Sequence, residues 1–291
     1  MSTLYQVFID PFTEFEFMRR ALAAVTALAV AGAPIGVFLM LRRMSLVGDA
    51  MAHAILPGAA IGFLLCGLNL FAMMAGGLIA GFLVAILAGI VARSTGLKED
   101  ASLATFYLAS LALGVTIVSI KGTNVDLLHV LFGNILAMDD QALLLIAVNA
   151  SITLLVLAVI YRPLVIESVD PLFLRTVSRA GAPAHLAFLA LVVINLVNGF
   201  QALGTLLAVG MMILPAGIAR FWSRDITPMI GIAVLSAIVS GYVGLVLSFA
   251  TRIPSGPAIV LVAAAIYVAS VLLGSVGGVV RQRFPRRHLE A

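Results

Sequence analysis

The chain has 291 residues, of which 63% are hydrophobic and 10% charged, and its mean hydropathy is +1.19. A soluble fold of that length cannot keep so much apolar surface from water, so lipid is the expected solvent. The formal charge of +4 is accounted for by basic loops at a membrane surface and calls for no nucleic acid.

A membrane-spanning helix takes about 20 mostly apolar residues. Runs of that kind stand near 19–41, 46–66, 71–92, 101–120, 141–161, 184–198, 203–221, 227–250 and 257–280, separated by short polar, Gly- or Pro-bearing breaks. They predict an all-α polytopic membrane protein of eight or nine spans, a single transmembrane domain over 1–291. Strands of alternating polarity, the mark of an outer-membrane barrel, do not occur over the required length. Asp10, Glu14, Phe15 and Glu16 precede the first run and no small-residue cleavage site follows it, so it is read as a retained span rather than a signal peptide. Lys and Arg gather in alternate breaks: Arg42 with Arg43, Arg93 with Lys98, Arg162 to Arg179, Arg220 with Arg224, and Arg281 to Arg287. The intervening breaks carry only Arg19 with Arg20, Lys121 and Arg252. The positive-inside rule then places the C-terminus in the cytoplasm and, for nine spans of an inner (plasma) membrane, the N-terminus outside.

Several chemistries lack their residues. No Gly-rich loop is followed by Lys and Ser or Thr, so nothing here cradles a nucleotide phosphate and any ATP must be held by another subunit. His-Glu-x-x-His and Gly-x-Ser-x-Gly are absent, and no pair of membrane-embedded aspartates suggests a proteolytic dyad, so an enzyme is not expected. The lone Cys66 excludes a disulfide framework and a Cys-based zinc site within this chain, and reads as a small packing residue.

Ionisable groups inside a membrane are costly and mark function by default. The second run holds Gly48-Asp49-Ala50-Met51-Ala52-His53-Ala54-Ile55-Leu56-Pro57-Gly58. On a helix Asp49 and His53 share one face, one turn of about 5.4 Å apart. A carboxylate above an imidazole is half a site for a divalent cation; it is equally an Asp-to-His hydrogen bond that joins helices. Pro57 and Gly58 loosen the helical ladder just beyond.

With Arg42 to Ser45 in front of it, this block looks like the signature of ABC-3 family permeases. The resemblance continues through Leu131–Leu136, Gly204–Leu207, Ile213–Arg220 and Pro254–Leu261, in order over nearly the whole chain. It implies a vitamin-B12-importer-like (type II) ABC permease fold that moves zinc or manganese, and less readily iron, inward. It also implies a second permease copy, two cytoplasmic ATP-binding subunits and an extracytoplasmic metal-binding protein; the pathway is expected along the interface of this chain with a second copy or with a close relative. Asp49 and His53 are then the candidate metal ligands, and a protonated His53 would no longer be one.

The polar stretch near 163–183 lies between two spans on the basic side. Asp170 reads as the N-cap of a short helix, with Pro171 in its first turn and Gly181 ending it in a left-handed turn. In the family the matching segment is the coupling helix seated in a groove of the ATPase, which makes Asp170, Pro171, Phe173, Arg175 and Gly181 the candidate ATPase contacts. Leu174 departs from the small Ala usual there.

Other polar residues receive plainer readings. His129 is placed at the outer interface, and His185 and His288 in solvent. Asn195, Asn198 and Gln201 are expected to bond neighbouring helices, while Met73, Met74, Met211 and Met212 are packing. One alternative keeps Asp49 and His53 but no ATPase: an ion-coupled secondary metal transporter using them as a proton or metal relay, although no internal repeat of the usual kind is visible. Carboxylate and imidazole suit zinc, manganese and ferrous iron alike, so the ligand types leave the metal open.

Overall fold

The computed structural model describes residues 8–280 apart from 68, 96, 98, 121–134, 171, 172, 175, 177 and 179. Among these residues the elements are helical throughout. A short α1 (Asp10–Glu14) leads into α2 (Glu16–Leu41), α3 (Ser45–Ala54), α4 (Leu56–Cys66), α5 (Leu70–Thr95) and α6 (Glu99–Ile120). A 3-10 turn (Ile135–Ala137) is followed by α7 (Asp140–Val169), α8 (Gly181–Leu203), α9 (Thr205–Arg220), α10 (Ile226–Thr251) and α11 (Ser255–Leu273). Eight candidate spans are long and apolar enough to cross a bilayer, with α3 and α4 together forming one of them. The ninth expected span, α9, is a shorter apolar helix that is mostly buried among the others.

α2 stands at the centre because its small residues let other backbones come close. Its lower half, with Met18, Ala21, Val25 and Leu28, packs in one apolar core with α9, α10 and α11. Its upper half, with Ile35, Phe38 and Leu39, packs in a second core with α3, α5, α7 and α8. At Gly36 an added Cβ would lie 1.8 Å from the Met212 carbonyl oxygen, so α9 crosses backbone on backbone. Two arginines pin α2 to α7. Arg20 near its start bonds Asp140 at the start of α7 at 2.8 Å, and Arg42 just past its end bonds Glu167 near the end of α7 at 2.6 Å. The two helices therefore run parallel, as three intervening crossings require.

Close approach recurs between α4 and α5. A Cβ on Gly58 would meet the Gly76 carbonyl oxygen at 1.9 Å, and one on Gly76 would meet that of Gly58 at 2.1 Å. Gly77 and Gly81 face Ile55 with Val197 and Val193 of α8. Small residues are what permit such contacts in lipid, where no hydrophobic drive pushes helices together. The outward faces carry Leu65, Leu155 and Val159, each more than two-thirds exposed, as a lipid-facing surface needs.

Three sequence expectations are corrected. The fifth run continues as helix through Arg162, Pro163 and Glu167 to Val169, so the separate segment is 170–180 rather than 163–183. The partner for the half-buried Glu167 there, Arg42, comes from a distant part of the chain. Gly181 does not end the short helix; it is the first residue of α8, and Ala180 before it has right-handed φ −73°. Pro183 explains the start, since its missing N–H lies in a first turn whose donors have no intrahelical partner. Finally, α11 stops at Leu273, because Gly274 to Gly278 turn back and Val276 N–H bonds the Phe221 carbonyl at 2.9 Å.

Replacing Gly58 or Gly76 with Ala is expected to destabilise the purified protein by about 1–3 kcal/mol, since an extra methyl must force two backbones apart. Gly89, where an added Cβ meets nothing within 4 Å, is the control and should tolerate Ala without loss. Thermal midpoints in one lipid nanodisc preparation compare the three.

Candidate functional site

α3 is ten residues long and stops at Ala54; after a one-residue turn at Ile55 the span resumes as α4 with Pro57 in its first turn. Pro57 has no N–H to give the His53 carbonyl, which is the physical reason for the break. The Ala54 carbonyl accepts a hydrogen bond from Ser110 Oγ of α6 at 2.9 Å, so a neighbouring helix helps satisfy the loosened ladder. The expected irregularity beyond His53 is therefore present.

The two faces of α3 differ. Val47, Gly48, Met51 and Ala54 are buried, and a Cβ on Gly48 would lie 2.7 Å from Met212 Cε of α9. Asp49 and His53 lie on the other side, with side chains 62% and 30% exposed. His53 Nε2 is 3.9 Å from Asp49 Oδ1, too far for a hydrogen bond. Two ligands each about 2.1 Å from one cation sit about 3.0–3.4 Å apart, a separation that small side-chain rotations reach from here. At that separation no structural Asp-to-His hydrogen bond is formed. Among the described residues no three or more His, Cys, Asp or Glu side chains gather, so the chain offers two such ligands at this place.

Sequence reading missed what faces Asp49 across a cavity of about 140 Å³, whose lining includes Leu46, Asp49, Asp100, Leu103, Ala104 and Tyr107. Tyr107 stacks on the His53 ring with centroids 6.3 Å apart and planes 28° apart. A signal existed: Asp100, Leu103, Ala104 and Tyr107 follow the i, i+3, i+4, i+7 spacing of one helix face.

The other candidates fall as follows. Asp170 caps its segment, its Oδ1 accepting the Phe173 N–H at 2.9 Å, and Phe173 and Thr176 are helical and exposed. Pro171 and Arg175 lie outside the described residues. Leu174 is buried, and a Cβ on Gly181 would be 3.1 Å from its Cδ2, so the larger side chain fills the space that the glycine leaves. His185 is not a solvated residue as expected, since its Nδ1 sits 2.8 Å from Arg42 Nη1. His129, His288 and Leu131–Asn134 lie outside the described residues. Asn195 is buried and joins α8 to α7 through Asn149 and Thr153, whereas Asn198 bonds its own helix, and the Gln201 side chain is outside the described set. Met211 and Met212 are core residues. Cys66, expected as packing, is exposed because it closes α4 immediately before Gly67, whose φ of +66° turns the chain away.

Residues 14–274 match the ABC 3 transport family. The chain belongs to that family. It is 33% identical to the manganese import system permease protein ScaB of Streptococcus parasanguinis, over 91% of this chain and 94% of that one. It is 30% identical to the manganese transport system membrane protein MntC of Halalkalibacterium halodurans, over 94% and 92%, and also to the chelated iron transport system membrane protein YfeD of Yersinia pestis, over 94% and 90%. Its fold is similar to that in the solved structure of PsaBC from Streptococcus pneumoniae in complex with Fab, with a TM-score of 0.81, 28% identity and coverage of 97% and 100%. A more distant likeness, TM-score 0.67 at 16% identity over 87% and 84%, is to an inward-facing conformation of a putative metal-chelate type ABC transporter. The ABC permease family and the all-α ABC permease fold expected from the sequence are both borne out.

The ring contact has its own test. Tyr107→Phe keeps the stack and should leave the thermal midpoint of the purified chain unchanged, while Tyr107→Ala frees the imidazole and should cost at least about 1 kcal/mol of stability. Thermal unfolding in lipid nanodiscs measures both.

Proposed function

We propose that this chain is the membrane permease of an ATP-driven importer that carries divalent metal cations, manganese foremost, into the cytoplasm. The observation that carries this reading is the Asp49 and His53 pair on an outward face of a broken span. A carboxylate exposed on a lipid-facing helix is costly, so that face is best explained as covered by a second permease copy or by a water-filled path between copies. Two such pairs, one from each copy, would give up to four ligands, with waters completing the shell. That is enough to replace part of the hydration of the ion and few enough to let it leave. The names of the relatives favour manganese, with iron next. A carboxylate and an imidazole suit either, and zinc also fits the ligand types.

The remaining parts follow from the same reading. Because the sequence has no phosphate-binding loop, hydrolysis belongs to two cytoplasmic ATP-binding subunits, and capture of the metal to an extracytoplasmic binding protein. The segment 170–180, capped by Asp170 and carrying the exposed Phe173, is the ATPase contact, and Pro171 and Arg175 belong to its sequence. Arg42, Arg43, Arg220 and Arg224 set that end of the molecule in the cytoplasm of the inner (plasma) membrane, and the C-terminus with it. Family membership leaves the ion-coupled secondary transporter without support.

Asp49→Asn keeps size and removes charge, and His53→Ala removes the other ligand. Each is expected to abolish Mn²⁺ uptake into proteoliposomes of the assembled complex, while ATP hydrolysis continues. Transport at the parental rate by both variants would falsify the site. Asp170→Ala removes the cap, at a cost of about 1 kcal/mol to the short helix, and should weaken ATPase binding without changing Mn²⁺ binding to the isolated permease. Pull-down with the ATP-binding subunits and titration of the permease separate those two effects.

A further inference from the structure

Arg42 is a charged residue that the site does not use, yet its side chain is only 8% exposed. Its Nη2 donates to Glu167 Oε2 at 2.6 Å, its Nη1 to His185 Nδ1 at 2.8 Å and its Nε to Ser168 Oγ at 3.4 Å. The guanidinium also lies 5.0 Å above the centre of the Phe188 ring. Each partner is arranged to receive it. Ser168 Oγ spends its own hydrogen on the Leu164 carbonyl at 2.7 Å, leaving lone pairs for the arginine. A guanidinium has donors only, so His185 Nδ1 must accept and the imidazole proton sits on Nε2.

The positions of the partners give the cluster its meaning. Glu167 and Ser168 end α7, directly before the Asp170 cap; His185 and Phe188 lie in the first turns of α8, directly after the segment. One guanidinium thus holds both ends of 170–180.

Arg42 is itself fixed to the helix of the metal pair. Arg43 N–H bonds the Met40 carbonyl at 3.0 Å and Met44 N–H the Leu39 carbonyl at 2.8 Å, the paired bonds of a Schellman turn. Arg43 occupies the left-handed position, φ +60°, that usually belongs to glycine. Leu39 and Met44 are both buried in the same core. α3 then starts at Ser45 and reaches Asp49 in a little over one turn. No flexible linker separates the arginine from the metal pair.

We infer that Arg42, through Glu167, Ser168 and His185, is the positioning residue that transmits movement of the 170–180 segment to α3 and so to Asp49 and His53. The inference rests on the reading of that segment as the ATPase contact. A planar fork is needed, because Nε, Nη1 and Nη2 reach the three acceptors from three separate nitrogens, whereas the three N–H groups of an ammonium all leave one nitrogen at the end of a shorter reach.

Arg42→Lys keeps the charge and loses the fork, and Glu167→Gln keeps the shape and loses the charge. In proteoliposomes of the full complex, each should lower the Mn²⁺ moved per ATP hydrolysed by at least about fivefold, the low end of usual coupling between sites, while ATP turnover persists. An unchanged ratio in both variants overturns the inference. A parallel fall of uptake, ATP turnover and thermal midpoint does so too, since a purely structural staple behaves that way. A second measurement leaves the cluster intact. Labels on cysteines at the exposed Leu46 and Thr176, in a Cys66→Ala background with one labelled protomer per complex, report the separation of α3 and the segment. That separation should be the same with and without bound ATP, because the two move together; a change of several ångströms refutes the link. Protection of the Thr176 label by the ATP-binding subunits tests the underlying reading separately. If protection is absent, the ATPase-contact assignment fails and the inference with it, whereas protection with an altered separation removes the inference alone.

Discussion

The cost of an unpaired charge in hydrocarbon governs this molecule more than any single apolar contact. The arginines at the two ends of α2 are paired with carboxylates of α7. Arg20 meets Glu16 and Asp140 at one end of α2, and Arg42 meets Glu167 at the other. These pairs fix α2 and α7 in parallel before any finer packing is considered. The exposed pairs at the first end contribute little by themselves. The buried Arg42 is different, because losing a partner there strands a charge in low dielectric. Asp49 and His53 are the departure, an ionisable pair turned outward on a span without a hydrogen bond between them.

That departure depends on glycine and proline in a way that composition alone conceals. Gly48 lets α3 lie against Met212 of α9, which turns Asp49 to the open side. Pro57 breaks the ladder one turn beyond His53, and Gly58 lets α4 sink against Gly76 so that the broken span stays packed. The same span thus carries the candidate ligands, the irregularity and a backbone-on-backbone helix crossing. A continuous Leu-rich helix would bury as much surface and could present neither ligand at this angle.

Much of this was legible in the sequence, for definable reasons. Hydropathy runs are long and local, so the spans were located to within a turn or so at most ends, and the Asp49 and His53 pair was visible because polarity inside an apolar run is conspicuous. Boundaries failed where a distant partner decided them. Arg162 to Val169 looks polar and loop-like, yet it stays helical with Arg42 there to receive Glu167, a residue 125 positions away. Gly181 was read as a helix end because glycine often is one, whereas Pro183 makes the same place a helix start. Asp100 and Tyr107 share a helix face, but nothing local says that the face meets α3. His185 carried no signal at all, since its partner is set by tertiary structure.

On the proposed reading, the Asp49 and His53 pair and the Arg42 cluster make opposite demands on the same thirteen residues from Leu41 to His53. A translocation site has to release its cargo, which favours few ligands, exposure and a broken helix; a transmitting joint has to be stiff, which favours burial, multiple hydrogen bonds and a tight turn. The chain separates the two along α3. The stiff turn and buried guanidinium lie before its first residue, the ligands lie on its open face, and the break comes after its last. Because α3 is only ten residues long, it has no span in which to absorb a displacement by bending, and its buried face is held against Met212 and Ile213. A shift imposed at Arg42 therefore reaches His53 as translation or rotation of one rigid turn-and-helix unit, and the turn at Ile55 is where it is taken up. The break after His53 then serves two physical ends on that reading: it frees backbone beside the proposed site, and it uncouples α3 from the Gly58–Gly76 crossing, which can stay fixed while Asp49 and His53 move.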